Sequence, residues 1–199
     1  MIPKIIFRYS PIYDSDYRNS DRIKKKLEDK GLTYPSVKEI FHEIENIEPL
    51  WSKVGSNVLK AISKITGLKW KEVKVICYVI GYGRSFSDPL TIRLHETPDL
   101  FIDTLVHEMI HQIQIQNNEL SKKWYSYIDK IYASETVLTK NHIIVHAVHK
   151  EIYLTLFDKK RLETDIKESG LSKDYARSWE IVEKEGHKNI INKFKEVTK

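Results

Sequence analysis

The chain has 199 residues, enough for one well-buried core, and its 41% hydrophobic and 31% charged residues are the balance of a soluble globular protein. A single cysteine, Cys77, excludes an internal disulfide framework, and no stretch is long enough to span a bilayer. The formal charge of +5 comes from lysines set among glutamates, as in Arg22-Ile23-Lys24-Lys25-Lys26-Leu27-Glu28, a mixture typical of solvated helix faces; no basic-plus-aromatic motif supports a nucleic-acid partner.

The apolar run after Met1 is too short for a signal peptide, so the expected location is the cytoplasm. Lys4 to Tyr9 reads as a short strand closed by Pro11. A charged helix is expected from about Asp21 to Lys30, stopped at Gly31. From Pro35, apolar residues recur at Ile40, Phe41, Ile44, Ile47, Trp51, Val54, Val58, Ile62 and Ile65, the three-and-four spacing of an amphipathic helix. Pro49 is expected to break or kink it. His42, near Glu43 and Glu45, reads as a surface residue.

From Lys71 the period changes. Val73, Val75, Cys77 and Val79 alternate with Lys74, Ile76, Tyr78 and Ile80, a strand with both faces partly covered and Cys77 as a buried thiol. Gly81 to Pro89 is a turn-rich loop, Leu90 to Leu94 a second strand, and His95 a loop residue.

Thr97-Pro98-Asp99 then offers an N-cap, a proline at the first helical position and an acid at the positive end of a helix dipole. The helix it opens runs to about Asn117-Asn118 and is apolar nearly all round, so it should be buried. Inside it lies Val106-His107-Glu108-Met109-Ile110-His111-Gln112, an H-E-x-x-H motif. On a helix, two histidines four residues apart lie one above the other and can share a metal ion, with the glutamate beside them.

With this motif the central part of the chain, roughly residues 73–157, resembles the zincin metallopeptidases, whose HExxH helix supplies two zinc ligands and a general base. The resemblance implies His107 and His111 as ligands of Zn2+ and Glu108 as the base toward a water on the metal, in hydrolysis of a peptide or protein substrate. The order strand, loop, strand, HExxH helix also resembles zincins, in which an antiparallel edge strand pairs with an extended substrate; alternatively the hairpin merely covers the helix. The fold expected is α+β, one mostly helical domain over residues 1–199 with a small antiparallel sheet.

Beyond Asn118 a helix is expected from about Leu120 to Leu138, followed by a second histidine cluster from Asn141 to Tyr153. Helical projection puts His142, His146, His149 and Tyr153 on one face, so five of the eight histidines sit on two helices. In the gluzincin group of zincins the third ligand comes from a later helix with the pattern Asn-Glu-x-x-x-Asp. Asn141-His142-Ile143-Ile144-Val145-His146 has that spacing with histidine at both key positions. His142 and His146 therefore join the metal set, His142 slightly favoured; His149 is a further candidate, and Glu151, opposite His142 on the projection, the weakest. Tyr153 or a cluster histidine could serve as oxyanion donor, although a core role suits Tyr153 better.

The last forty residues read as one or two amphipathic helices around Gly186, with Trp179 and Phe194 packed on the body. The leading functional expectation is a small intracellular zinc peptidase. The alternative is a non-proteolytic zinc-containing module that binds protein or nucleic acid, in which a structural ion would have no use for Glu108.

Overall fold

The computed structural model describes residues 1–199 and contains nine helices and a four-stranded mixed sheet. Contacts divide the chain into two compact units: Pro3–Gly55 with Glu72–Glu108, and Met1–Ile2 with Ser56–Lys71 and Met109–Lys199. No helix is long and apolar enough to cross a membrane.

The first of these units is built on strands β1 (Lys4–Tyr9), β2 (Lys74–Ile80), β3 (Phe86–Ser87) and β4 (Leu90–Arg93), in the order β1-β2-β4-β3. The sheet is not the antiparallel one expected. β1 pairs parallel with β2, with Phe7 opposite Cys77, and β2 pairs parallel with β4, with Val79 opposite Ile92. Only β3 and β4 are antiparallel. Alternating side chains identify a strand but carry no information on its direction. Here the chain spends Phe86 and Ser87 on a short returning strand, so β4 runs back alongside β2. β4 is consequently interior, and the edge on that side is the two-residue β3.

Helix α1 (Pro11–Asn19) was not foreseen, because Pro11 reads as a strand terminator. It is a helix start instead: the Ser10 hydroxyl accepts from the Tyr13 N–H at 3.4 Å, and Pro11 occupies the first turn, where its missing N–H costs nothing. Helix α2 (Asp21–Glu28) lies where the charged helix was expected. Helix α3 (Val37–Thr66) begins with a capping box, Ser36 N–H on Glu39 Oε2 at 2.6 Å and Glu39 N–H on Ser36 Oγ at 3.2 Å. Of the break or kink expected at Pro49, the break does not occur: the helix continues through it. Pro49 and Glu45 are both exposed, so water can satisfy the carbonyl that Pro49 leaves without a helical donor.

The buried carboxylate of Asp14 ties this unit together. Oδ1 accepts from the Gly81 N–H and the Tyr34 hydroxyl, both at 2.8 Å; Oδ2 accepts from Tyr9 at 3.0 Å and from Arg18 at 2.7 Å. One side chain thereby joins α1, the end of β1, the end of β2 and the segment before α3. Gly81 is required there, since a Cβ would stand 2.6 Å from the Tyr34 ring. Burial by itself pushes the Asp14 carboxyl up, but the bonds from Gly81, Tyr34, Arg18 and Tyr9 outweigh it and hold the group below its ordinary value. Underneath, Ile5, Phe7, Val75, Val79 and Ile92 form the apolar face, with Phe7 against Phe101 at 6.1 Å.

The other unit is helical, with α6 (Val137–Leu156) at its centre, packed by α8 (Lys173–Glu185), α9 (His187–Val197), α7 (Lys159–Ser169) and α5 (Asn118–Ile131). The expected helix over Leu120–Leu138 is thus shorter, ending where Tyr132 to Glu135 turn the chain into α6. Trp124 of α5 meets Phe194 of α9 edge to face at 5.3 Å. Helix α4 (Pro98–Gln116) starts at the foreseen cap, with Thr97 Oγ1 accepting from the Leu100 N–H at 3.3 Å. Buried amides at its end and just beyond hold the segment after α3: Asn117 donates to the Lys69 carbonyl at 2.8 Å, and Gln116 accepts from the Lys71 N–H at 2.9 Å.

Removing the Asp14 carboxylate leaves the buried Gly81 N–H without its acceptor and strips the half-buried Tyr9, Tyr34 and Arg18 donors of their shared one. Asp14→Ala is expected to cost on the order of 3 kcal/mol, read from the urea midpoint. Because the folded pKa is depressed, the stabilisation from this group is present above the unfolded value of about 3.9 and is lost as pH falls through the lower folded one. Asp14→Asn should flatten that part of the acid limb; a limb identical to wild type would assign it to other carboxylates.

Candidate metal centre

His107 and His111 occupy successive turns of the uninterrupted helix α4, and His142 lies in the second turn of α6. Their ligand nitrogens all fall within 4.8 Å of one another, close enough to hold a metal ion. The best-defined pair is His111 Nε2 and His142 Nε2, 3.4 Å apart with the rings steeply inclined at 74°. Zinc–nitrogen bonds of about 2.0–2.1 Å in a tetrahedron require nitrogens separated by about 3.3–3.4 Å, so this pair already spans one tetrahedral edge.

The tautomer of His142 follows from its other nitrogen. Nδ1 lies 2.8 Å from the Leu138 carbonyl, which can only accept, so Nδ1 carries the proton and Nε2 presents its lone pair toward His111. That is the form a metal ligand needs. Without a metal, His111 Nε2–H would be the donor of the 3.4 Å contact. Burial, reinforced by neighbouring His142, pushes His111 down to about 3, so that ring is neutral at ordinary pH.

Glu108 is 8% exposed and follows His107 directly on α4. Burial pushes its carboxyl up to about 7, against a smaller pull downward from Arg84. Cys77 on β2 is fully buried; burial and the Glu108 charge both raise its thiol, and it serves as core rather than ligand. His95 is a strap at the start of α4. Thr104 Oγ1 gives its proton to the Leu100 carbonyl at 2.9 Å, so the 3.0 Å contact is donated by His95 Nε2–H.

The three histidines close enough to share an ion do not include His146 or His149. His146 shares a helix face with His142, as foreseen, but lies flat on Trp179 of α8, with centroids 4.3 Å apart and planes within 5°. Burial, then His142, His149 and His111, drive it well below the ordinary histidine range. His149 is 1% exposed, with its ring 4.6 Å from Tyr153 and Nδ1 3.7 Å from the Asp165 carboxylate. Burial, aided by the Arg161 charge, takes it down to about 3. Tyr153 is fully buried between His149 and Phe157, a core position. Glu151 bonds His187 Nε2 at 2.9 Å instead of joining the histidines, in keeping with its place on the projection.

Sequence reasoning passed over Tyr175, whose ring lies 4.3 Å from that of His142 at 35°. Its only trace in the sequence is the spacing to Trp179, four residues on, which repeats the spacing of His142 and His146. Comparison with known protein families, curated proteins and solved structures found no match to this chain.

The geometry separates two neighbouring histidines experimentally. The purified protein is expected to hold about one metal ion per chain, lost in His142→Ala and retained in His146→Ala, as read by elemental analysis after exhaustive dialysis. The reverse pattern would place the third ligand at His146.

Proposed function

We propose that this chain is a zinc-dependent peptide hydrolase of the zincin type, with His107, His111 and His142 as ligands and Glu108 as general base. The observation that carries the reading is the convergence of the three imidazoles, with a buried glutamate in the same helical turn as two of them. Three nitrogen ligands suit a catalytic zinc, which supplies Lewis acidity to a carbonyl and to water at the remaining position.

The residues of the chain have separate tasks in that reaction. His142 is held in its ligand tautomer by the Leu138 carbonyl, and His111 is kept neutral by burial. Glu108, in dry surroundings beside His107, accepts a proton from the attacking water and returns it to the leaving nitrogen. A structural zinc site makes no demand for such a group, and burying a carboxylate carries a desolvation cost that function would explain. Histidine in place of the gluzincin glutamate leaves the ligand set neutral, which preserves more of the cation's charge for the substrate.

Glu108→Gln is the decisive variant. It is expected to retain the metal and the fold while losing cleavage of unfolded protein or peptide by about a hundredfold or more. Activity equal to wild type would remove Glu108 from the chemistry. A wild-type protein that holds zinc but cleaves no peptide would favour the non-proteolytic binding module.

A further inference from the structure

We infer that Tyr175 is a positioning residue for the third metal nitrogen, its ring holding the His142 imidazole at the angle from which Nε2 faces His111. The inference rests on the metal-centre reading above.

His142 has two fixed points. Nδ1–H is anchored on the Leu138 carbonyl at 2.8 Å, and Nε2 stands 3.4 Å from His111. A ring pinned at one nitrogen can still tilt about that bond, and a few degrees of tilt displaces Nε2 sideways. The face of the ring therefore needs a wall. Tyr175 supplies it, with centroids 4.3 Å apart and planes inclined by 35°, while the same ring meets His146 edge to face at 5.6 Å. One turn later Trp179 stacks on His146, so α8 lays two aromatic rings on two histidines of α6 in the same register.

The position of α8 is itself set close to the start of α6. Thr136, which caps α6 through the Thr139 N–H at 3.1 Å, also donates its hydroxyl to Asp174, the residue before Tyr175. Thr139 donates to the Asp174 carbonyl at 3.2 Å, and Arg177 bonds Glu135 at 2.9 Å. The residues that begin α6 thus grip the first turn of α8, and Tyr175 has little freedom to leave His142. Ordinary core packing would be served by any side chain of suitable volume, whereas orienting a planar ring needs a flat one.

The test is the zinc affinity of the full-length protein, measured by chelator competition, with the visible spectrum of the cobalt-substituted form as a second readout. Tyr175→Phe keeps the flat ring and is expected to bind zinc as wild type does. Tyr175→Leu keeps apolar volume without the plane and is expected to weaken zinc tenfold or more, the scale of removing a supporting partner of a ligand, and to shift the cobalt bands. Equal affinity in wild type and Tyr175→Leu overturns the inference while leaving the metal centre intact. Wild-type protein that retains no zinc defeats the metal centre, and this inference with it. Should Tyr175→Leu not fold, Asp174→Ala, which cuts the grip on α8, is read in its place: a threefold or greater weakening supports the inference and unchanged affinity overturns it.

Discussion

Desolvation of the polar side chains on α4 and α6 is the constraint around which the helical part of the protein is arranged. Both helices are buried along most of their length, yet they carry Glu108, Gln112, Gln114, Gln116, His142, His146 and His149 in the interior. An uncharged polar group without a partner costs about 1–3 kcal/mol when buried, and a charged one more. The amides meet this cost by taking backbone groups: Gln114 donates to the Ile110 carbonyl and accepts from Tyr125, and Asn117 serves Ile113 and Lys69 at once. These bonds explain why an apolar helix ends in amides.

The imidazoles answer the same constraint differently. Burial holds His146 and His149 well below the ordinary histidine range, and the rings pack as aromatic surfaces, His146 on Trp179 and His142 against Tyr175. What distinguishes His142 is the directed bond of Nδ1 to the Leu138 carbonyl, which leaves the Nε2 lone pair facing a second imidazole. With His107 one helical turn from His111, the three imidazoles lie close enough to hold a metal ion. Glu108 belongs to the same logic, since the low-dielectric surroundings that neutralise the histidines also raise its proton affinity.

Asp14 shows the opposite solution in the sheet-containing unit. There a buried carboxylate stays ionised because four residues aim donors at it, and the charge serves to join segments distant in sequence. Glu108 and Asp14 are both nearly inaccessible to solvent, and their opposite shifts follow from the number of donors each receives.

Local physics determined a good part of this protein from the sequence alone. The periods of β1, β2, β4, α2 and α3, the Thr97-Pro98 start of α4, and the four-residue spacing of His107 and His111 all depend on neighbours within a turn or two, so their positions were legible. Ser10-Pro11 carried an equally local helix signal that the adjoining strand obscured. Tertiary structure alone decided the rest. Strand direction depends on which edges meet, and β4 became parallel to β2 because β3 took the returning path. Helical projection placed His142 and His146 on one face but could not separate them, since the difference lies across the helix: His111 stands opposite one and Trp179 covers the other. Asp14 and Tyr175 were invisible for the same reason, because a buried acid or a stacked ring acquires its role only from partners that the folded chain brings to it.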